Sequence, residues 1–280
     1  MGALPKKVLE RFRNVSKFQK ILLSAKDRDL NESNTVAILT DILADVFGYD
    51  KYHEVTSELA VKCTYCDLAL KLNDKVQFLL EAKAVGIDLK ENHLKQVIDY
   101  GANYGVSWVV LTNGIMWNIY KIKYQKPLDY DLVCSFNFTE LNWKKADDQE
   151  KLYLLTKEGV LKNVRNDFYE RSQIVNRFIL SALIMSDNVS NAIKKEIKRL
   201  SAGIKIDNSE IQKILSAEVI KRDMIEGEEA EKAQSRVKRL YNKVLKKTKQ
   251  AEDESNNSTS NINLFRPEGK KESISDIAAG

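Results

Sequence analysis

The chain has 280 residues, of which 43% are hydrophobic, and it carries a formal net charge of +5 at pH 7. This length allows one substantial hydrophobic core and a smaller second unit. The small net charge excludes a uniformly polycationic nucleic-acid binder, so any basic patch must be local. No stretch approaches the ~18 apolar residues of a membrane span, and three cysteines do not make a disulfide framework. We therefore expect a cytoplasmic protein with no membrane partner.

Two amphipathic helices are predicted before any strand. Apolar residues recur at helical spacing from 6 to 25, and Asn31 is a candidate N-cap for a second helix that ends at Gly48. Glu32 lies in the first turn of this second helix, where the helix dipole favours a carboxylate. On these grounds alone Glu32 is a helix-stabilising residue. The alternation of apolar residues over 53–61 then predicts the first strand.

A β-hairpin is predicted next. In Cys66–Leu72 a leucine occupies every second position from 68 onward, which is the period of a half-buried strand. A tight turn centred on Asp74 leads into the return strand. This register places Asp67 opposite Glu81, with Lys83 on the same face, because directly opposed residues share one face of the sheet.

Two opposed carboxylates in an apolar strand pair indicate a cation site. Like charges at this spacing repel unless a cation lies between them. Hard oxygen ligands with open water positions suit Mg²⁺ or Mn²⁺, and a lysine on the same face can stabilise charge on a phosphate. The alternative is a solvated ion pair between Glu81 and Lys83, worth under about 1 kcal/mol. The apolar run around Glu81 and the pairing with Asp67 favour the metal site.

The segment after the hairpin predicts a β-α-β unit. A helix over Asp88–Tyr104 carries Gln96 and Tyr100, which project together because they are four residues apart. A buried strand over Val106–Thr112 follows, and Asn113-Gly114 predicts a hairpin into the next strand. Since the crossover makes two strands parallel and the hairpins make others antiparallel, the predicted fold class is α/β, with a mixed sheet flanked by helices.

A helical region is predicted after the sheet, whose edge a short strand over 132–138 closes. Basic residues between 236 and 249 surround an apolar stripe, which is typical of a solvated helix face and also of an arm that follows phosphates. The predicted divisions are a domain over 1–140, a helical region over 147–250 that supports the domain, dimerises or binds nucleic acid, and a disordered tail over 251–280.

Three features occur together between residues 81 and 120. They are Glu81-Ala82-Lys83, Gln96-x-x-x-Tyr100, and the run Val109–Gly114 followed by Trp117 and Tyr120. Their combination resembles the N-terminal nuclease domain of type I restriction enzyme R subunits, which has the restriction-endonuclease-like fold of the PD-(D/E)xK nuclease superfamily. The resemblance covers about residues 30–122. It implies metal ligation by Asp67, Glu81, the Ala82 carbonyl and Glu32, a catalytic role for Lys83, and positioning of the nucleic-acid backbone by Gln96 and Tyr100.

The chain departs from this family in three respects. No proline precedes Asp67, and Cys63-Thr64-Tyr65-Cys66 stands where the family often has a glycine-containing turn. These two cysteines are either strand-edge thiols or part of a zinc site that would need both histidines of the chain. Nothing matches G-x-x-x-x-G-K-[ST], so we expect a stand-alone nuclease domain without the translocating motor. Gln96 and Tyr100 would otherwise be a hydrogen-bonded helix flank.

The resemblance implies a metal-dependent endonuclease that hydrolyses phosphodiester bonds with Mg²⁺ or Mn²⁺. DNA is favoured over RNA as the substrate, and defence against foreign nucleic acid is the expected setting. The helical C-terminal region offers a route to a homo-oligomer. The alternative is a catalytically silent nucleic-acid-binding or assembly module that retains the nuclease fold.

Overall fold

A computed structural model describes residues 4–62, 64–201 and 203–243. The chain forms two compact units, the first ending at Gln173 and the second beginning at Ile174. The helices that build the first unit are α1 (Lys6–Phe12), α2 (Val15–Asp27), α3 (Glu32–Asp45), α4 (Glu91–Tyr104), α5 (Ala146–Tyr153), α6 (Lys157–Leu161) and α7 (Val164–Ile174). Its strands are β1 (Val55–Val61), β2 (Thr64–Leu72), β3 (Lys75–Ala82), β4 (Trp108–Thr112), β5 (Met116–Lys123) and β6 (Asp129–Asn137).

The strands lie side by side in sequence order in one mixed sheet. Neighbouring strands are antiparallel except β3 and β4, which are parallel and are joined through α4. This arrangement confirms the predicted α/β class and the β-α-β unit. Strand β6 pairs with β5 and closes that end of the sheet, as predicted, although it begins three residues earlier.

Both faces of the central strands are covered. On one face, Leu68 and Leu80 share a hydrophobic cluster with Leu39 of α3. On the other face, Leu79 of β3 packs with Val97 of α4. Strand β2, which was predicted to be half-buried, is therefore buried on both faces. Its leucines pack on the α3 face, and the crossover helix α4 covers the opposite face.

The hairpin between β2 and β3 has the predicted register. Leu70 lies opposite Phe78, but the connection is a two-residue turn in which Asn73 and Asp74 both have positive φ, 51° and 60°. A two-residue turn alone would shift the later pairs by one residue. A bulge at Gln77 adds the missing residue and restores the register toward the site.

Two helices differ from their predictions because tertiary hydrogen bonds compete with the helical ladder. The helix predicted over 6–25 is broken where the Asn14 side chain donates to the Asp45 carbonyl, 3.0 Å away. Helix α4 begins at Glu91 rather than Asp88, because Thr35 and Asn113 form hydrogen bonds with the backbone of the loop before it.

The first unit extends past residue 140, where the predicted domain ended. Leu152 and Leu155 join the cluster on the α3 face of the sheet. Arg165 of α7 lies over the rings of Phe78 and Trp108, 4.9 and 5.1 Å from their centroids, and is only 5% exposed. Helices α5 to α7 therefore complete the core of the sheet domain.

The second unit is helical in the described residues, as predicted. Ile179, Ala233 and Val237 form its buried cluster. Its helices are α8 (Arg177–Ile184), α9 (Asp187–Leu200), α10 (Asn208–Ile214) and α11 over 228–243.

Helix α10 is short and is followed directly by an irregular turn. Asp207 caps α10 by accepting a hydrogen bond from the Glu210 amide. The chain then passes into one turn of π-helix over Leu215–Val219, whose wider ladder ends the regular helix.

The C-terminal predictions are met only in part by described residues. Helix α11 contains the first half of the predicted basic helix; the rest of that helix and the predicted disordered tail over 251–280 lie outside the described residues. Within the residues that the structure describes, the helices are too short or too polar to span a bilayer.

Candidate active site

The candidate site lies where β2 and β3 meet, at the end of β3 that leads to α4. Leu68 and Leu80 form the adjacent pair of the ladder, and Asp67 is the next residue of β2. Oδ2 of Asp67 accepts a hydrogen bond from the backbone amide of Ala82, 2.7 Å away. The predicted juxtaposition of Asp67 with the Glu81-Ala82-Lys83 segment is therefore present.

Glu81 is a buried carboxylate on an otherwise apolar strand, with 2% of its surface exposed. Its Oε1 accepts from Lys83 Nζ at 2.8 Å, whereas Oε2 is buried without a hydrogen-bond partner in the described part of the chain. Burial, and then the nearby Asp67 charge, raise the pKa of Glu81 to about 7 despite the contact with Lys83. The site thus holds one carboxylate oxygen that lacks a cation or donor.

Asp67 is subject to the same conflict between burial and charge. Burial raises the pKa of its carboxyl, and the hydrogen bond from Ala82 together with the charge of Lys83 opposes that rise. The two acids therefore lie in an environment in which a further cation would stabilise both ionised forms.

Lys83 is placed by the sheet and held by acids. Its backbone amide donates to the Thr112 carbonyl at 2.8 Å, which continues the parallel pairing one residue past β3. Its ammonium also lies 3.6 Å from Glu32 Oε2. Burial acts to lower the pKa of Lys83, but Glu81, Glu32 and Asp67 outweigh it and raise that pKa, so the lysine stays charged.

Glu32 reaches the site from the start of α3. Asn31 caps this helix, as predicted, by accepting from the Asn34 amide at 3.0 Å. The Glu32 side chain is partly exposed and contacts Lys83. Among the described residues, no three His, Cys, Asp or Glu side chains form a metal-binding group. Glu32 lies beside the lysine, while Asp67 contacts the Ala82 amide and Glu81 contacts the Lys83 ammonium.

Gln96 and Tyr100 form a hydrogen-bonded pair on α4, which covers the sheet face that carries Leu79. Gln96 Nε2 donates to the Tyr100 hydroxyl at 2.7 Å. Because the tyrosine oxygen accepts this bond, its own proton remains available to donate to an incoming acceptor. Tyr100 is only 7% exposed and belongs to the hydrophobic cluster between α4 and the sheet, so the structure shows a hydrogen-bonded helix flank, and contact with a nucleic-acid backbone stays a prediction.

Two side chains that the sequence analysis missed hold the loop between Lys83 and α4. Thr35 Oγ1, in α3, accepts from the Val85 amide at 3.2 Å. Asn113 Nδ2 donates to the Ile87 carbonyl at 2.9 Å, while its Oδ1 accepts amides of its own turn. Asn113 was recognised only as a turn residue, since its second role depends on the parallel packing of β3 and β4.

The cysteine pair of the sequence does not contribute a metal site in the described residues. The Cys66 thiol is buried and donates to the Leu80 carbonyl, with Sγ 3.4 Å from the oxygen. Burial raises the pKa of Cys66 to about 12, which disfavours the thiolate that binds zinc. Cys63 lies outside the described residues.

Comparison with known proteins gives a match to a family model. Residues 38–133 match the family model described as the type I restriction enzyme R protein N terminus. This span contains Asp67, Glu81, Lys83, Gln96 and Tyr100, and it excludes Glu32. No curated protein and no solved structure matches the chain. The chain thus contains a domain similar to the N terminus of type I restriction enzyme R proteins, and that domain carries the site.

Proposed function

We propose that the protein is a metal-dependent nuclease of the PD-(D/E)xK type that hydrolyses phosphodiester bonds, with DNA favoured over RNA. The observation that carries the proposal is the buried Glu81–Lys83 pair beside Asp67, with one Glu81 oxygen that has no partner among the described residues. Burying charge without a functional reason is costly, so this cluster is better explained by a bound cation and a phosphate than by stability. The match to a restriction enzyme domain supports the same assignment.

The donor set fits Mg²⁺ or Mn²⁺. Asp67, Glu81 and the Ala82 carbonyl would supply hard oxygen ligands, and the unpaired Glu81 Oε2 is an oxygen available to a cation. Mg²⁺ characteristically uses one or two carboxylates and keeps its other positions for water and phosphate oxygens. When bound, such an ion polarises the phosphoryl group and lowers the pKa of a bound water.

The remaining residues act on the substrate. Lys83, kept charged by Glu81 and Glu32, stabilises the negative charge that develops on the phosphate oxygens. Gln96 and Tyr100 donate to the strand backbone and fix its position relative to Lys83. Asn113 and Thr35 keep the connecting loop in place.

The test is cleavage of linear and circular, single- and double-stranded DNA and RNA by the purified protein with Mg²⁺ or Mn²⁺. We expect metal-dependent cutting that Asp67→Ala and Lys83→Ala reduce by at least about a hundredfold. Lys75→Ala, which removes an exposed lysine at the other end of β3, should cut like the wild type. Equal cutting by wild type and Lys83→Ala would contradict the assignment.

A second candidate is a silent binding or assembly module. It predicts nucleic-acid binding that survives both Lys83→Ala and chelation, with no metal-dependent product. The presence of all three acidic and basic site residues in one cluster favours the nuclease.

The proposed biological setting is defence against foreign DNA in the cytoplasm. Bacteria expressing the wild-type protein should restrict infecting phage, and those expressing Lys83→Ala should not. Equal plaque counts in the two strains would argue against this setting. Self-association through the helical second unit belongs to the same proposal, and sedimentation of the purified protein measures it.

A further inference from the structure

Helix α4 carries a third polar side chain in line with Gln96 and Tyr100. His93 lies three residues before Gln96 and seven before Tyr100. At 3.6 residues per turn, these positions fall within about 60° of one another around the helix. The three side chains therefore form one stripe about 10 Å long, with His93 and Gln96 partly exposed and Tyr100 buried at its end. This length equals the rise of about three nucleotides in one strand of B-DNA.

A hydrogen bond at the start of α4 determines which ring nitrogen of His93 carries the proton. The Lys90 amide donates to His93 Nδ1 at 3.2 Å. A ring nitrogen that accepts a hydrogen bond is unprotonated, so a neutral His93 carries its proton on Nε2. In the part of the chain that the structure describes, Nε2 has no hydrogen-bond partner.

His93 lies within the electrostatic influence of the candidate site. Burial, followed by the charges of Lys83 and Lys90, lowers the pKa of His93, and Glu32 opposes this effect. The imidazole is thus neutral at pH 7, and its Nε2–H is an uncharged hydrogen-bond donor. His93 is the member of the stripe whose pKa the Lys83 charge lowers.

We propose that His93 contacts the DNA backbone, donating its Nε2–H to a phosphate oxygen of the strand that Gln96 and Tyr100 position. The inference rests on the proposed function, because it takes its ligand from that function. All three donors of the stripe are uncharged. Their contacts release no counterions, so they should add affinity without adding to the salt dependence of binding.

Two substitutions separate a DNA contact from a structural cap. His93→Asn retains an acceptor at the position of Nδ1 and loses the outer donor. His93→Gln places an amide near the position of Nε2 and loses the inner acceptor. We expect His93→Asn to weaken binding of a fluorescent duplex DNA by about tenfold, and His93→Gln to stay within about threefold of wild type.

Binding is measured by anisotropy in EDTA and again with Ca²⁺, over a range of salt concentrations, beside cleavage assays with Mg²⁺. The logarithmic salt slope of His93→Asn should equal that of the wild type. Lys90→Ala, which removes a neighbouring charge, should make the slope less steep. His53→Asn is the matched control, since His53 is exposed and pairs with Asp50; its affinity should be unchanged.

Three results would overturn the inference: equal affinity of His93→Asn and wild type, a larger loss for His93→Gln than for His93→Asn, or no DNA binding by the wild type. The nuclease proposal fails separately. If the wild type does not cut but the expected ranking of the two variants appears in binding, the contact stands without the catalysis. If the wild type cuts and all the proteins bind alike, the catalysis stands without the contact.

Discussion

Glu81 brings a carboxylate into a strand whose neighbouring residues, Leu79, Leu80 and Ala82, are fully buried and apolar. Its Oε1 is matched by Lys83, and its Oε2 has no partner within the described residues. Burial and the Asp67 charge raise its pKa to about 7, so the protonated acid is substantially populated at neutral pH in the folded protein without metal. This cost is the physical argument for the cation-binding role proposed for Glu81.

The raised pKa of Glu81 predicts a pH-dependent cost in the metal-free protein. Because the pKa is higher in the folded chain than in the unfolded chain, the contribution of Glu81 to stability is present at low pH and lost as pH rises through about 7. The Glu81→Gln side chain does not ionise, so the variant does not lose stability in this way. We measure the free energy of unfolding in urea with EDTA. The difference between Glu81→Gln and the wild type should change in favour of the variant by on the order of 2–3 kcal/mol between pH 5 and pH 8.

Glu91→Gln is the control for this prediction, since it removes an exposed carboxylate from α4. It should follow the wild type across the same pH range. A constant difference between Glu81→Gln and the wild type from pH 5 to pH 8 would show that Glu81 is not destabilised by its surroundings.

At the scale of single elements, the β2–β3 hairpin determines which side chains meet. Its two-residue turn has positive φ at Asn73 and Asp74, and the bulge at Gln77 brings Leu70 back opposite Phe78. A slip of one residue would move Glu81 to the opposite face of the sheet, away from Asp67. The turn is thus part of the mechanism that assembles the site.

The turn predicts a stabilising substitution. Positive φ at both central positions is the geometry for which Asn-Gly is preferred, because glycine has no Cβ to strain. Asp74→Gly should raise the free energy of unfolding by about 0.5–1 kcal/mol, whereas Asp74→Val should lower it by about 1–2 kcal/mol. Thermal unfolding of the wild type and the two variants measures their order of stability. An Asp74→Gly protein less stable than the wild type would contradict the assigned turn.

Local patterns in the sequence predicted the hairpin register, the Asn31 cap and the parallel pairing across α4, because each depends on residues close in the chain. The break at Asn14 and the late start of α4 depend on contacts with Asp45, Thr35 and Asn113, which no local pattern reveals. The same limit applies to the site. Asp67, Glu81 and Lys83 follow from register and resemblance, whereas the support from Thr35 and Asn113 needed the packing of three elements.

At the scale of the whole molecule, the sheet domain depends on helices that follow it in sequence. Arg165 covers Phe78 and Trp108, and its Nη2 donates to the Gln77 carbonyl at 3.3 Å, beside the bulge. Leu152 and Leu155 add fully buried side chains to the same core. A domain boundary at 140 would leave these surfaces uncovered.

A fragment of residues 1–173 should therefore unfold cooperatively, and a fragment of residues 1–140 should not. Losing Leu152, Leu155 and the cover over Trp108 removes about 1.5–3 kcal/mol for each buried side chain, which is comparable to the whole stability of a domain. Circular dichroism melts and limited proteolysis compare the two fragments. A cooperative transition of the 1–140 fragment at the same temperature would show that α5 to α7 are dispensable.

The residues proposed for the chemistry, Asp67, Glu81, Lys83, Gln96 and Tyr100, all come from one continuous stretch of β2, β3 and α4. The contacts of Asp67 with Ala82, Glu81 with Lys83 and Gln96 with Tyr100 form within this stretch, whereas Thr112, Thr35 and Asn113 hold its backbone from outside it. The family match over residues 38–133 includes this whole stretch together with Thr112 and Asn113, and it excludes Thr35.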